Sequence, residues 1–300
     1  MSAKVVVLGS TNTDMVIKAD HLPKPGETIL GGTFFMNPGG KGANQAVAAA
    51  RLGGNVLFIS KIGDDVFGKQ NKELFEKEGI DTTYVFSDPK EPSGVALITV
   101  DSKAENCIVV ASGANATLSP VDVAKAATEI QSADILLTQL ETPVDTIIYA
   151  AELAAGNNVK VILNPAPACP IPKSLLKSLY MITPNRIEAE MLTGIRVDDI
   201  SSAKQAAETL HAEGVKIVVI TLGSEGALAL IDNEFHFVDA EKVVPIDTTA
   251  AGDVFNGALA VAIAEGQSVL DGIKFACKAA AISVTRLGAQ ASAPYKREVV

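Results

Sequence analysis

Short runs of aliphatic and β-branched residues alternate with longer helix-like stretches over most of the chain. The runs fall at residues 5–9, 56–62, 135–139, 159–164, 179–183 and 217–221. The helix-like stretches are 42–52, 69–78, 121–131, 144–155 and 203–213, followed by two alanine-rich ones at 251–265 and 268–286. Runs that are apolar throughout, rather than alternating, are typical of strands buried on both faces. The pattern therefore predicts an α/β fold in which helices cover a mostly parallel sheet.

Two parts of the chain break this alternation. Residues 15–19 with 28–37, and residues 94–101 with 106–111, have the pattern of paired strands with no helix between the members of each pair. They predict either edge hairpins or a separate small sheet that acts as a lid over a site. Because no internal repeat or low-complexity tract divides the chain, we expect residues 1–300 to form a single domain that carries these lid strands.

Composition limits the classes of function. The formal net charge is −10 and the isoelectric point is about 4.9, which argues against nucleic acid or an anionic membrane as the main partner. The cysteines and histidines are scattered without paired spacing, so they predict reduced thiols and argue against a zinc site. No signal-type segment opens the chain, and no apolar run approaches the roughly 18 residues of a membrane span. We expect a cytoplasmic protein.

The glycine-rich segment NPGGKGANQ fits neither standard nucleotide-binding loop. A P-loop needs a glycine where this chain has Phe35 and a serine or threonine where it has Gly42. A dinucleotide fingerprint needs a third glycine where Gln45 stands. The glycines still let backbone approach a ligand closely, and Lys41 and Asn44 offer donors that suit hydroxyl groups. The alternative is a glycine-rich turn with a solvated lysine.

Polar side chains follow two predicted strands at their carboxyl ends. Asn12 and Asp14 come after the first strand in GSTNTD, and Glu141 comes directly after ILLTQL. Open α/β sheets bind ligands at this edge, where an amide and a carboxylate can hydrogen-bond a vicinal diol. An Asx turn that ends the strand is the alternative for Asn12 and Asp14.

Asn185 and Glu188 lie three residues apart in TPNRIEAEMLTG, at the start of a predicted helix. An amide and a carboxylate on one helical face can hold a hydrated Mg²⁺ beside phosphate groups. The same spacing also fits an N-terminal capping arrangement, so both interpretations stand.

The segment DTTAAGDVFNG places Asp253 at the start of an alanine-rich helix. The free N–H groups of a helix N-terminus, together with its dipole, form an anion site. We therefore expect Ala250, Ala251, Gly252 and Asp253 to surround an anion. The same environment favours the ionised form of Asp253, so the sequence predicts that this carboxylate is a weak base.

Taken together, these segments resemble the ribokinase branch of the PfkB carbohydrate kinase family over essentially the whole chain. The order of the segments carries the resemblance: GSTNTD, PKPGET, GGKGANQAVAAARLG, SGVALITV, NPAPA, TPNRIEAEMLTG, ITLGSEG, DTTAAGDVFNGALA and SVTRLGAQ. The resemblance implies a three-layer αβα, Rossmann-like domain with a β-sheet lid, often shared between the subunits of a homodimer. It also implies phosphoryl transfer from ATP to ribose, with Mg²⁺ on the phosphates and K⁺ as an activating cation.

The resemblance also assigns residues to roles. The implied sugar contacts are Asn12, Asp14, Gly40, Lys41, Asn44 and Glu141, with Asp253 as the catalytic base. The implied nucleotide contacts are Asn185, Thr221, Gly223, Ser224, Glu225, Gly226 and Gly252, and Cys277 stands where other family members have different residues beside the adenine. The implied metal ligands are Glu188 for Mg²⁺ and Asp247, Thr249, Ser283, Arg286, Gly288 and Ser292 for K⁺.

Three alternatives compete with a ribose kinase. Another kinase of the family would act on 2-deoxyribose, fructose or a nucleoside. A sugar- or nucleotide-binding regulator without catalysis would be expected to lose Asp253 or Gly252, and both are present. A Rossmann-type dehydrogenase is disfavoured because the glycine spacing fails.

Overall fold

The computed structural model describes residues 3–103 and 105–300. The strands in this part of the chain are β1 (Lys4–Leu8), β2 (Asn12–Lys18), β3 (Thr33–Gly39), β4 (Asn55–Gly63), β5 (Val85–Asp88), β6 (Gly94–Val100), β7 (Asn106–Ala111), β8 (Ile135–Thr138), β9 (Lys160–Leu163), β10 (Met181–Ile182), β11 (Ile217–Thr221), β12 (Gly226–Ile231) and β13 (Glu234–Asp239). The helices are α1 (Lys41–Arg51), α2 (Val66–Lys77), α3 (Pro120–Lys125), α4 (Ala127–Gln131), α5 (Val144–Ala155), α6 (Lys173–Ser178), α7 (Arg186–Thr193), α8 (Ile200–Ala212), α9 (Ala251–Ala264), α10 (Val269–Ser283) and α11 (Lys296–Val299).

The apolar runs form the centre of one nine-stranded sheet, in the order β13-β12-β11-β10-β9-β8-β1-β4-β5. All pairs from β11 to β5 are parallel, whereas β12 and β13 add an antiparallel hairpin at one edge. Asp232 and Asn233 turn this hairpin with φ angles of 49° and 65°, a conformation that Asp and Asn tolerate better than most residues. The predicted mostly parallel sheet is confirmed, although the sequence pattern missed β5, β12 and β13.

Alternate side chains of the central strand enter two separate apolar clusters. Val5 and Val7 join a cluster with residues of α1, α9 and α10, whereas Val6 and Leu8 join one with residues of α5 and α8. All four side chains are fully buried. Since helices cover both faces of the sheet, the predicted three-layer αβα fold is confirmed.

Helices α1 and α9 approach each other closely at Gly257. A Cβ atom there would lie 2.8 Å from the backbone oxygen of Gln45 and 2.8 Å from the Cβ of Ala48. A larger residue at 257 would push the helices apart, because such contacts are shorter than van der Waals packing allows. The close packing lets the side chain of Gln45 meet Asp253, which lies one turn earlier on α9.

The four strands that break the alternation along the chain form a second, smaller sheet, in the order β3-β2-β6-β7. This small sheet confirms the separate-sheet interpretation over edge hairpins. Two boundaries were wrong: residues 28–32 have no regular structure, and β2 begins at Asn12 rather than at residue 15. Asn12 and Asp14 are therefore strand residues paired with β3 and β6, not a turn that ends β1.

The predicted helices are largely present, with one clear difference. The stretch 121–131 is not one helix, because it divides at Ala126 into α3 and α4. Helix α7 begins at Arg186, where the sequence predicts the start of a helix, whereas α6 and α11 were not predicted. Within residues 3–103 and 105–300, no helix has both the length and the apolar character needed to cross a bilayer.

Candidate active site

Two cavities meet at the N-terminus of α9, on the carboxyl side of the parallel strands. The smaller has a volume of about 200 Å³ and a polar wall; its lining includes Lys41, Asn164, Thr183, Asn185, Glu188, Thr221, Thr248, Asn256 and residues 250–253. The larger, about 680 Å³, has a mainly apolar wall and shares Asn185, Thr221, Thr248, Ala251 and Gly252 with the first. An elongated ligand with a polar and an apolar end can therefore span both.

Asp253 forms part of the floor of the polar cavity. Its side chain is 7% exposed, its Oδ1 accepts from Gln45 Nε2 at 2.9 Å, and its Oδ2 accepts from Asn44 Nδ2 at 2.9 Å. Burial raises the pKa of Asp253, although Lys41 and the two amides oppose the shift. The expectation of a weak base with a favoured ionised form is therefore wrong, because desolvation outweighs the helix terminus.

The amides at the start of α9 are only partly free. Ala250 is the N-cap residue, in a left-handed conformation with φ 59°. The N–H of Ala251 donates to Thr248 O at 3.3 Å, whereas none of the described residues accepts from the N–H groups of Ala250, Gly252 or Asp253. A Cβ at Gly252 would meet no atom within 4 Å, so this turn opens directly into the cavities. Three amides remain available to an anion, rather than the four expected.

The glycine pair before α1 allows the small sheet to meet the first strand of the core. A Cβ at Gly40 would lie 2.7 Å from the N atom of Asn12, and one at Gly39 would lie 2.3 Å from both carboxylate oxygens of Asp14. The φ of Gly40 is 89°, which disfavours any other residue. Register pairs Asn12 with Gly39, so the two polar residues and the glycine-rich loop converge.

Glu141 and Lys41 complete this polar cluster. Glu141 Oε2 accepts from Ser10 Oγ at 2.6 Å and from the N–H of Lys41 at 3.0 Å. Lys41 Nζ lies 3.9 Å from Glu141 Oε1. Burial alone would lower the pKa of Lys41, but Asp253 and Glu141 hold it above its usual value. The lysine is therefore a fixed positive charge within a group of carboxylates.

Asp14 has a pKa raised to about 6. Burial is the main cause, and the negative charges of Glu141 and Asp253 add to it, while Lys41 partly opposes them. The Oδ1 of Asn44 is buried without a hydrogen-bond partner, an acceptor that a ligand hydroxyl could satisfy. Asp14, Lys41, Asn44 and Glu141 thus lie near Asp253. Gly40 packs against the backbone of Asn12, whose Oδ1 accepts from Asn115 Nδ2 at 2.9 Å; their role as sugar contacts stays a prediction.

Asn185 and Glu188 form the capping arrangement that the sequence left open. Asn185 Oδ1 accepts from the N–H of Glu188 at 2.8 Å, and Glu188 Oε2 accepts from the N–H of Asn185 at 2.9 Å. Glu188 is 8% exposed and still lines the polar cavity; burial raises its pKa. No group of three or more potential His, Cys, Asp or Glu ligands exists in the described ranges.

Most of the predicted nucleotide residues line the larger cavity. They are Asn185, Thr221, Gly223, Ser224, Gly226, Gly252 and Cys277. Glu225 is not on the wall, because its Oε1 pairs with Arg186 Nη2 at 2.6 Å. Burial raises the pKa of Cys277 to about 11, so its thiol contributes apolar surface.

Several lining residues were not predicted from the sequence. In the larger cavity they are Glu241, Lys242, Val243, Pro245, Phe255, Ala280 and Val284, and in the polar cavity Asn164, Thr183, Thr248 and Asn256. Asn164 and Thr183 directly follow β9 and β10, so the rule that selected Glu141 would have found them. The loop after β13 gave no such signal, because it follows an antiparallel strand.

The residues implied for K⁺ lie in the segment before α9 and in the segment from the end of α10 to Ser292, which Asp247 connects. Asp247 accepts from the N–H of Thr249 and from the N–H of Gly288, each at 2.9 Å. Burial alone would raise the pKa of Asp247, but these hydrogen bonds hold it below its usual value. The side chain of Arg286 pairs with Glu298, with Nη2 2.6 Å from Oε1, so it is not available to a cation.

Ser283 and Ser292, the remaining residues implied for K⁺, are buried. Their hydroxyls donate to Ala280 O and Ala289 O, at 2.8 Å each.

Comparison with known proteins agrees with this geometry. Residues 2–296 match the family described as pfkB family carbohydrate kinase. A ribokinase of Haemophilus influenzae is 47% identical over 300 residues, covering 100% of this chain and 98% of that protein. A deoxyribokinase of Salmonella typhimurium is 39% identical over 97% of this chain and 95% of its own. The structure of Arabidopsis thaliana ribokinase complexed with ribose and ATP superposes with a TM-score of 0.93, at 35% identity, over 100% of this chain and 98% of that one. The chain therefore belongs to the pfkB family of carbohydrate kinases.

Proposed function

We propose that this chain transfers the γ-phosphoryl group of ATP to the 5-hydroxyl of D-ribose, giving D-ribose 5-phosphate and ADP. The single observation that carries the proposal is the position of Asp253. It lies between a polar cluster suited to a sugar and a cavity large enough for a nucleotide, beside free amides of α9. Relatives named ribokinase, matched over nearly their full length, support ribose as the sugar.

The sugar is held by the cluster of Asn12, Asp14, Gly40, Lys41, Asn44 and Glu141. The carboxylates accept hydrogen bonds from hydroxyls, and Lys41 and the amides donate to them. Asn44 also donates to Asp253, so one side chain would connect the bound sugar with the base. In this proposal the primary hydroxyl of the sugar lies at Asp253.

Asp253 accepts the proton of that hydroxyl as the sugar oxygen attacks the γ-phosphorus. The new bond is O–P, the bond that breaks joins the γ-phosphorus to the bridging oxygen of ADP, and the proton leaves Asp253 for solvent after product release. The raised pKa of Asp253 suits this role, because a base with a higher pKa drives proton transfer further. Charge on the transferred group is stabilised by the amides of Ala250, Gly252 and Asp253.

Two metal ions fit residues of this chain. Asn185 and Glu188 would hold Mg²⁺ through its water shell, where it neutralises phosphate charge. Asp247, Thr249, Ser283, Arg286, Gly288 and Ser292 would hold K⁺ largely through backbone oxygens. This cation site would order the turn that leads into α9 without contact with the substrate.

A substrate panel tests the proposal. Coupled ADP-release assays with ribose, 2-deoxyribose, fructose and adenosine, each with and without K⁺, should give the highest kcat/KM for ribose. Phosphorylation of 2-deoxyribose alone would support the second candidate, which the deoxyribokinase relative favours. Absence of ATP-dependent phosphorylation on every sugar would support a binding regulator instead.

Ribose affinity should fall at acidic pH because Asp14 has a pKa of about 6. Below that value the carboxyl is protonated in the free protein, so it loses its charge and part of its acceptor capacity. We expect affinity to drop about tenfold for each pH unit below the pKa. Calorimetric titration with ribose in the Asp253→Asn background, from about pH 4 to pH 8, would measure this without titration of the base. Because Asp253 contributes to the raised pKa of Asp14, the fall in affinity should begin at a lower pH in this variant than in the wild type. If the affinity for ribose did not change with pH over that range, the role of Asp14 would be contradicted.

The small sheet also supports a homodimer. Residues directly opposite each other across the strands share a face, and one face carries Ile17, Phe34, Met36, Leu97 and Val109. These side chains are 44–63% exposed, a contiguous apolar surface that monomers rarely leave open. We expect light scattering to give a dimer mass that Leu97→Lys reduces to that of a monomer; an unchanged mass would place the interface elsewhere.

A further inference from the structure

A series of buried amide side chains leads from Asp253 towards β8. Gln45 in α1 is fully buried, and its Nε2 donates to Asp253 Oδ1 at 2.9 Å and to Asn164 Oδ1 at 3.1 Å. Gln139, directly after β8, is 1% exposed, and its Nε2 donates to Gln45 Oε1 at 2.6 Å. Burying two glutamine side chains costs free energy unless their polar atoms are hydrogen-bonded.

The ionised state of Asp253 determines which way each amide points. A carboxylate can only accept, so Gln45 must present its NH₂ group to Asp253 and its oxygen to the other side. Gln139 must then present its own NH₂ group to that oxygen. The Oε1 of Gln139 has no partner among the described residues, and a Cβ at Gly9 would lie 2.1 Å from it. Glycine at position 9 therefore leaves room for Gln139 in this orientation.

We propose that Gln45 is a positioning residue for Asp253 in phosphoryl transfer: it fixes the rotation of the carboxylate and stabilises its negative charge, while Gln139 holds Gln45 in the donating orientation. This inference rests on the proposed function. Gln45 and Asn44 each occupy one oxygen of Asp253. The remaining lone pairs are those available for the proton of the sugar hydroxyl.

The charges around Asp253 explain why an uncharged donor matters. Lys41 from α1 stabilises the ionised form, while Glu141 after β8 destabilises it. Asp14 on β2 and Glu188 on α7 also interact unfavourably with the charge of Asp253. With one cation facing three acids in a buried site, the hydrogen bonds from Asn44 and Gln45 add to the charge of Lys41 in keeping Asp253 ionised before transfer.

Substitutions at position 45 test the inference. Gln45→Met keeps the length of the side chain but removes the donor, so kcat should fall about ten- to a hundredfold. The KM values for ribose and ATP should stay within about threefold, and the acid limb of the kcat profile should move up by about one pH unit. Gln45→Glu has the same size but adds a fourth acid, so its acid limb should move further than that of Gln45→Met.

Gln139→Met is the matched control, because it leaves the donor in place but frees Gln45 to turn. We expect kcat to fall about two- to fivefold, with a small shift of the acid limb in the same direction. If neither variant at position 45 folds, the kcat and the acid limb of Gln139→Met test the inference instead. Thermal unfolding and ribose titration of each variant separate loss of fold from loss of positioning.

Each possible result supports or overturns the inference. A lower melting temperature with unchanged kcat and acid limb would mean that Gln45 only fills space, and would overturn the inference. The inference would be supported if the pH of the acid limb rose from the wild type to Gln45→Met and again to Gln45→Glu. If the wild-type protein itself fails to phosphorylate ribose, the proposed function fails first, independently of these variants.

Discussion

Replacing Asp253 by asparagine should abolish most turnover and leave the fold intact. Asp253→Asn removes the proton acceptor, and general-base help contributes about 10²–10⁴ in rate. We expect kcat to fall at least about a hundredfold, or roughly 2.7 kcal/mol of transition-state stabilisation. Steady-state assays, with titrations of ribose and of an ATP analogue, should show affinities close to those of the wild type.

The stability of the same variant provides an internal control. The pKa of Asp253 is raised in the folded protein, so the ionised acid destabilises the fold once the pH exceeds the unfolded value of 3.8. Asparagine carries no charge, so this cost of burying an ionised group disappears in the variant. The melting temperature near neutral pH should therefore equal or exceed that of the wild type. Near-normal turnover would show that Asp253 is not the base.

The central sheet was predictable because its signal is local. The apolar segments that became β1, β4, β8, β9 and β11 contain consecutive buried residues, a pattern typical of short strands covered on both faces. Strand β13 lacks this character, since only one of its six residues is buried, whereas β12 has five consecutive buried residues and was missed nonetheless. Such edges need tertiary context to be recognised.

The start of β2 was missed for a related reason. Asn and Asp are depleted in strands, so Asn12 and Asp14 suggested a turn. The pairing of Asn12 with Gly39 and with Gly94 extends the strand across them. Both partners are glycines, whose lack of a side chain leaves space for the polar groups.

The residue types of the site were predictable, but their protonation was not. The contacts of Asp253 with Asn44 and Gln45 join residues more than 200 positions apart, with separations of 209 and 208. Burial at that depth is a property of the packed structure, and it reverses the pKa shift that a helix terminus alone predicts. The local sequence therefore indicates that the helix terminus lowers the pKa of Asp253, but it does not indicate the desolvation that outweighs this effect.

The amide turn at Gly252 gives the second large prediction. Gly252 lines both cavities, and a Cβ there would meet no protein atom. Gly252→Ala should therefore fold normally, with stability unchanged or slightly raised because alanine favours helices by about 0.5–1 kcal/mol. The methyl group would instead occupy the space of the transferred phosphoryl group.

Displacing that group from the amides should cost about 10²-fold in kcat/KM for ATP, the usual cost of losing one donor to a charged transition state. Gly252→Val should cost more, since its branches extend further into the cavity. Gly156→Ala, at a helical φ of −63° at the end of α5, is the matched control and should leave activity unchanged. Because no protein atom opposes the added methyl at 252, a loss of activity without loss of stability can only come from a ligand on this turn. Wild-type kcat/KM in Gly252→Ala would show that the phosphate binds elsewhere.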